Sequence, residues 1–92
     1  MKLQVKFSNR FKKDLKLAKK QNKNLNKLFE VIEKLANLEI LAEKYIDHSL
    51  TGEYCGLREC HIEPDWLLID YIQNNILTLA LSRLGSHSDL FS

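Results

Sequence analysis

Two short polar turns divide the second half of the sequence into three apolar segments. The first turn, Glu63-Pro64-Asp65, has proline at its second position, where the fixed φ angle of proline favours a tight turn. The second, Gln73-Asn74-Asn75, is a run of turn-forming residues. The segments that they separate are 57–62, 66–72 and 76–84. Because turns this short join neighbouring antiparallel strands, the sequence predicts two consecutive hairpins.

The first part of the sequence predicts a strand and then a helix. Residues 3–7 alternate between apolar and polar side chains, as a half-buried strand does. Ser8 or Asn9 is a suitable N-cap for the helix that follows. The apolar stripe of this helix is formed by Phe11, Leu15 and Ala18. A polar break at 21–24 predicts a turn, so a second helix would complete a helical hairpin.

The second helix has the most regular apolar pattern in the chain. Its apolar residues recur at helical spacing and are Leu25, Leu28, Phe29, Ile32, Leu35 and Ala36. Asn24 is a suitable N-cap, and we expect the helix to end near Asn37, where the pattern weakens. From 38 to 51 no period holds, although this segment is too apolar for a free linker. A packed crossover is therefore expected there.

The predicted order of elements is β-α-α-β-β-β, in a single domain over residues 1–92. A chain of 92 residues can form one modest core. Because the helical pair separates the first strand from the other three, the fold itself must place that strand beside them. The expected fold class is α+β: a compact four-stranded sheet, a helical hairpin on one of its faces, and a short C-terminal tail. The other face of the sheet can then form a partly open surface.

Positive charge is concentrated near the start of the sequence. The formal net charge is only +2, but ten of the fourteen Lys and Arg residues lie between Lys2 and Lys27, where Asp14 is the only acid. Such a segment is typical of a surface that faces a polyanion, and equally of a solvated lysine-rich helix. No apolar run reaches the roughly 20 residues that cross a bilayer, and no signal peptide is evident. A cytoplasmic protein without membrane contact is expected.

Three histidines from different parts of the sequence are candidates for acid–base chemistry. His48, His61 and His87 each lie near a carboxylate and a turn-forming residue, and histidine suits proton transfer near neutral pH. The residues that could hold RNA are Arg58 and Arg83, which suit a phosphate, and Trp66, Tyr71, Tyr54 and Phe91, which suit stacking on bases. This set fits the cleavage of RNA by its own 2′-hydroxyl. That reaction needs a base, an acid and positive charge, but no metal.

Several of these residues also have an ordinary structural interpretation. A single histidine is more often a surface or core residue than a catalyst, and Trp66 beside two leucines fits the core. Glu59 and Arg58 could form a cross-strand charge pair. Cys55 and Cys60 are expected to be free thiols. With the histidines they leave a zinc site open as an alternative, although the close spacing typical of such sites is missing.

Three blocks of the sequence carry a family resemblance. They are Tyr45-Ile46-Asp47-His48-Ser49-Leu50-Thr51-Gly52, Gly56-Leu57-Arg58-Glu59-Cys60-His61-Ile62-Glu63-Pro64-Asp65-Trp66, and Arg83-Leu84-Gly85-Ser86-His87-Ser88-Asp89-Leu90-Phe91. With these blocks in this order, the chain resembles the YafQ branch of the RelE superfamily, the ribosome-dependent mRNA interferase toxins of bacterial toxin–antitoxin pairs. The resemblance implies a compact sheet with a helical hairpin, and cleavage of mRNA in the ribosomal A site without a metal or other cofactor. It also implies a cognate antitoxin, in a hetero-oligomer that binds operator DNA.

The resemblance also assigns a catalytic set by position. The residues that match the acid–base set of the family are His48, His61, Asp65 and His87. His87 is expected to be the general acid, and Asp65 is expected to act with His61 on the 2′-hydroxyl. His48 is expected to orient the substrate.

A second set of residues is expected to contact RNA. Trp66 and Phe91 match positions at the edge of the family's site, and Arg83 is a candidate for holding the scissile phosphate, with Arg58 as a further arginine. Leu84 stands where family members often have threonine, which leaves the preferred codon open. The alternative function is a non-catalytic module on the same scaffold that binds RNA, the ribosome or a partner.

Overall fold

A computed structural model describes residues 2–91, which form a five-stranded sheet and three helices. The strands are β1 (Gln4–Phe7), β2 (His48–Ser49), β3 (Arg58–Glu63), β4 (Trp66–Gln73) and β5 (Thr78–Gly85). The helices are α1 (Asn9–Lys20), α2 (Leu25–Ala36) and α3 (His87–Phe91). None of the helices in this described range is long and apolar enough to cross a membrane.

The sheet has the strand order β1-β5-β4-β3-β2. The two predicted hairpins are present as the antiparallel pairs β3–β4 and β4–β5. The fold places β1 beside β5 in parallel orientation, because the helical pair lies between β1 and the other strands in the sequence. The α+β class and the predicted order of the main elements are therefore confirmed.

Both long helices begin at the predicted caps. The Ser8 hydroxyl accepts a hydrogen bond from the backbone N–H of Phe11 (3.0 Å) at the start of α1. At the start of α2, Asn24 Oδ1 accepts one from the N–H of Lys27 (3.3 Å). These contacts satisfy N–H groups that have no partner inside a helix, and each such cap is worth about 1 kcal/mol.

The sheet has one strand more than the four predicted. The additional strand is β2, in which His48 pairs with Glu59 and Ser49 pairs with Arg58 in antiparallel register. A strand of two residues has no measurable periodicity, so the pattern of the 38–51 segment could not reveal it. The consequence is that His48 belongs to the sheet and is held at its edge.

Helices α1 and α2 cover one face of the sheet, as predicted. The core on that face includes Phe11, Ala18, Leu28, Val31, Leu35, Cys60, Leu68, Leu79 and Leu81. Because side chains alternate along a strand, the position of Cys60 on this face places Glu59 and His61 on the other. Ile69 pairs with Glu59, and Leu67 pairs with His61, so both share that second face. The second face presents most of the predicted catalytic residues.

Helix α1 also covers the part of β5 that β1 does not reach. The β1 register includes only the first four residues of β5. Beyond them, the Ser8 hydroxyl donates to the carbonyl of Ser82 (2.8 Å), and Asp14 Oδ2 accepts a hydrogen bond from the N–H of Leu84 (2.9 Å). Side chains of the helix region thus replace the hydrogen bonds of a missing strand. They hold the end of β5, from which the chain continues into α3.

Candidate active site

The centre of the candidate site is the carboxylate of Glu59 on β3. Glu59 is only 5% exposed. Its Oε1 atom lies 3.5 Å from Nε2 of His48 and 3.6 Å from Nε2 of His61. A buried carboxylate is costly unless polar groups surround it, and these two imidazoles supply them. Residues from β2 and β3 therefore meet at one acid.

Backbone carbonyls orient the two histidine rings around Glu59. Nδ1 of His48 lies 2.6 Å from the carbonyl oxygen of Ile46, and Nδ1 of His61 lies 3.2 Å from that of Pro64. A carbonyl oxygen can only accept, so each Nδ1 is the donor in these contacts. Each Nε2 then faces Glu59, where a proton can be held or passed on.

The third histidine is positioned by Asp65. Asp65 Oδ1 accepts one hydrogen bond from the backbone N–H of His87 (3.0 Å) and another from its ring Nδ1 (2.8 Å). These two bonds lower the pKa of Asp65, because they stabilise its ionised form. We expected Asp65 to act with His61, but the structure ties it to His87 instead. The turn between β3 and β4 thereby anchors the start of α3.

The Asp65–His87 pair lies close to the group formed by Glu59, His48 and His61. The ring centroids of His61 and His87 are 5.6 Å apart, and these two rings and Glu59 offer ligand or proton-transfer atoms within 4.8 Å of one another. The four predicted catalytic residues therefore lie around one point on the open face of the sheet, with Glu59 among them.

A groove of about 380 Å³ lies on the same face of the sheet, where Ile69, the register partner of Glu59, lines it. Its lining includes Arg10, Tyr54, Arg83 and Phe91. The Tyr54 and Phe91 rings meet edge to face at 5.2 Å between centroids, and both side chains are partly exposed. Phe91 follows His87 by one helical turn in α3, so the two side chains project from the same side of that helix. Aromatic rings and arginines at one groove suit a nucleotide with its phosphate.

Arg83 is held in this groove by Asp14 of α1. Its Nε donates to Asp14 Oδ2 (2.8 Å) and its Nη2 to Oδ1 (3.3 Å). These hydrogen bonds raise the pKa of Arg83, which stays charged. Nη1 takes no part in this ion pair, so it is the donor best placed to reach a phosphate.

Two predicted substrate contacts need correction. Trp66 is 2% exposed and packs in the core under the helices, with the Lys23 amine 5.8 Å from its ring centroid, so it cannot stack on a base. Arg58 shares the helix-covered face with Cys60, and its guanidinium contacts Ser49 and Asp47. Neither side chain points to the histidine cluster, because strand alternation directs both the other way.

Glu59 and Arg10 were missed as members of the site. The sequence alone indicates a cross-strand charge pair for Glu59 and Arg58, but consecutive strand residues face opposite sides of a sheet, and the structure directs Glu59 to the histidines. Its position two residues before His61 was the signal that could have revealed it. Nothing in the local sequence of Arg10 points to the groove, because its location depends on how α1 packs against β5.

The possible metal ligands in the structure differ from the cysteines and histidines that the sequence suggests. Within residues 2–91, the group that could hold a metal ion is Glu59, His61 and His87, without a cysteine. Cys60 is fully buried, and this burial raises the pKa of its thiol. Cys55 is exposed and free. Imidazole and carboxylate are suitable ligands for zinc or copper, so the three residues fit such an ion chemically.

The chain matches a family model over residues 3–92, described as the bacterial toxin of type II toxin–antitoxin system, YafQ. The chain belongs to the YafQ family of bacterial toxins. A curated member, the mRNA interferase toxin YafQ of Escherichia coli strain K12, is 39% identical over 88 residues, which cover 95% of this chain and 94% of the relative. The family predicted from the three sequence blocks is confirmed.

Solved structures agree with the fold. A metal-bound toxin from Helicobacter pylori has a TM-score of 0.92 at 46% identity, and the match covers 97% of this chain and 99% of that chain. A chain of the E. coli DinJ–YafQ toxin–antitoxin complex has a TM-score of 0.89 at 36% identity, and the match covers 100% of both chains. Members of the family have thus been solved with a metal and with an antitoxin.

Proposed function

We propose that the chain is a ribosome-dependent endoribonuclease that cleaves mRNA through attack of the 2′-hydroxyl on the adjacent phosphate, without a metal. The observation that carries this proposal is the convergence of Glu59, His61 and His87 beside an arginine-bearing groove. The name of the E. coli relative as an mRNA interferase supports the choice of substrate.

The geometry favours a division of labour between two sides of the cluster. The general base is His61, supported by Glu59. His61 takes the proton of the 2′-hydroxyl as the 2′-oxygen bonds to phosphorus. The acid is His87, which donates a proton to the departing 5′-oxygen as the P–O5′ bond breaks. Asp65 supports this role, because a carboxylate on Nδ1 fixes the ring and stabilises the imidazolium. Each positioned acid or base contributes about 10²–10⁴-fold to the rate.

His48 and Arg83 complete the mechanism. His48 contacts the same carboxylate as His61 and, from the edge of the sheet, orients the ribose and Glu59. Arg83 places positive charge where the phosphorane develops negative charge, a contribution that preorganised donors make most effectively. Phe91 and Tyr54 offer the apolar wall against which a base can rest.

The proposed partners follow from the family. The DinJ–YafQ complex of E. coli supports a cognate antitoxin that neutralises this chain in a hetero-oligomer able to bind operator DNA. The exposed lysines of α1 support contact with ribosomal RNA.

The decisive experiment is primer extension on a defined mRNA in a translation reaction. Wild-type protein should produce cuts within codons only when ribosomes are active, and His87→Ala should lose at least about 10²-fold of this activity. His87 is exposed, so the variant should keep its circular dichroism spectrum and unfolding midpoint. Equal cutting by a folded His87→Ala protein would refute the assigned site, and the cut positions of the wild type would give the codon preference.

A second candidate function is a non-catalytic module that binds RNA or the ribosome. The exposed row of Lys12, Lys13 and Lys16 on α1 favours it. It predicts ribosome binding with a steep salt dependence and no cleavage product, unchanged by His87→Ala. Detection of cleaved mRNA that depends on His87 excludes this alternative.

A further inference from the structure

His48 is the one histidine of the cluster that rests on a very short strand. His61 lies within the six-residue strand β3, and His87 is tied to Asp65 by two hydrogen bonds. Strand β2, by contrast, has two residues and lies at the edge of the sheet. A ladder of this length is not stable by itself. The hydrogen bond from His48 Nδ1 to the Ile46 carbonyl orients the ring locally, so contacts that hold the strand itself help to keep the ring 3.5 Å from Glu59.

Arg58 supplies contacts on both sides of His48. Its Nη1 donates to the hydroxyl of Ser49 (2.9 Å), and its Nη2 lies 3.4 Å from Asp47 Oδ2. Asp47 and Ser49 are the two chain neighbours of His48. Because side chains alternate, both project to the face opposite the His48 ring, where Arg58 also projects. One planar guanidinium therefore holds the backbone on either side of the histidine.

Acidic residues line the same cavity as the Arg58 side chain. Arg58 pairs in register with Asp70 on β4, which is 1% exposed. Among the described residues that line the open cavity on this face, Arg58 is the only base, and the acids are Glu39, Glu43, Asp47 and Asp70. Asp47 Oδ1 and Asp70 Oδ2 are buried without a hydrogen-bond partner. The Arg58 side chain is 40% exposed, and the acidic lining of this cavity favours its contacts with Asp47 and Ser49.

We propose that Arg58 is the positioning residue of His48, which it holds over Glu59 through its simultaneous contacts with Asp47 and Ser49. This inference rests on the proposed nuclease function, because it gives Arg58 a role in the chemistry at the cluster without any contact with RNA. It replaces the expectation that Arg58 binds a phosphate. The arginine acts from the helix-covered side of the sheet, and the histidine that it positions acts on the open side.

The two roles of Arg58 predict different kinetics. A residue that positions His48 affects the chemical step, so Arg58→Gln should lower kcat by about 10- to 100-fold and leave KM for the ribosome-bound message nearly unchanged. Arg58→Lys keeps the charge but cannot reach both neighbours of His48, so it should restore only part of kcat. The matched substitution Arg83→Gln, in the groove, should lower kcat and also raise KM, because Arg83 is proposed to contact the phosphate itself. A raised KM with unchanged kcat in Arg58→Gln would overturn the proposal.

A readout that needs no activity separates this inference from the proposed function. Long-range ¹H–¹⁵N spectra of the imidazole rings should show the His48 signals shifted or broadened in Arg58→Gln, while the His87 signals stay in place. Ser49→Ala removes a single contact of the guanidinium and should give a smaller change in the same signals, even if Arg58→Gln does not fold. Unchanged His48 signals in a folded variant would refute the positioning role, whether or not the wild type cleaves mRNA.

Discussion

At the scale of single residues, Glu59 couples two histidines that lie on different strands. Its carboxylate is nearly inaccessible to water and has Nε2 of His48 and Nε2 of His61 within 3.6 Å. The two rings are the polar groups that surround this buried carboxylate, so the rings and the acid lie in mutual contact. The proton-transfer capacity of the site therefore belongs to the group as a whole.

Glu59→Gln should abolish most of the cleavage while the fold survives. Glutamine has the same shape but no charge, so His61 loses the carboxylate that supports it as a base. Single-turnover cleavage of ribosome-bound mRNA should slow by about 10²-fold or more. Activity close to that of the wild type, in a variant with a normal unfolding midpoint, would mean that His61 acts without Glu59.

Asp70 should make the stability of the protein depend on pH. Burial, with a further contribution from Asp47, raises the pKa of Asp70 to about 7 from the ordinary value of 3.8. The unfolded chain then loses this proton first, so stability falls as pH rises from about 4 to 7. Asp70→Asn cannot ionise, so at pH 8 its free energy of unfolding, measured in urea, should exceed that of the wild type by on the order of 2 kcal/mol. The difference should shrink towards pH 4, and an equal difference at both pH values would contradict a neutral Asp70.

At the scale of elements, α1 acts as the neighbour of β5 where β1 ends. Asp14 accepts hydrogen bonds from Leu84 and from Arg83, and so joins the helix both to the backbone of the sheet and to the groove. A single carboxylate thus joins α1 to the end of β5 and orients the guanidinium of Arg83.

Asp14→Ala should destabilise the protein and loosen Arg83. The variant leaves the N–H of Leu84 and two guanidinium donors without their acceptor, which should cost about 2–3 kcal/mol in urea unfolding. Asp14→Asn is the matched control, because it keeps one oxygen acceptor and should lose less. If both variants unfolded at the wild-type urea concentration, α1 would not be fixing the end of β5.

At the scale of the whole molecule, charge is divided between elements. The basic residues of α1 face solvent, and the acids on the helix-covered side cluster around Arg58.

Replacing Lys12, Lys13 and Lys16 by Gln should weaken ribosome binding. The slope of the logarithm of the binding constant against the logarithm of the salt concentration should fall by about 0.7 for each lost phosphate contact. The same change at three lysines outside α1 (Lys2, Lys34 and Lys44) is the control, and equal losses in both triple variants would show that only net charge matters.

The sequence predicts the order and most boundaries of the elements, because turns, caps and apolar periods are local signals. It also brings together His48, His61, Asp65 and His87 through a family resemblance. The sequence does not predict β2, because a strand of two residues is too short to show an alternation of apolar and polar side chains. It fails for Trp66 and Arg58 as substrate contacts, because the face that a strand residue occupies depends on which side the helices cover.

The parallel pairing of β1 with β5 has a consequence for the time at which the protein becomes active. Gln4 is bonded to a strand that begins at Thr78, so the first strand to be synthesised must wait for the last. Such distant contacts form slowly. Arg83 and His87 lie later still in the sequence, after β1 to β4 and both long helices. The histidine cluster and the groove are therefore completed by segments that are synthesised after all of these elements.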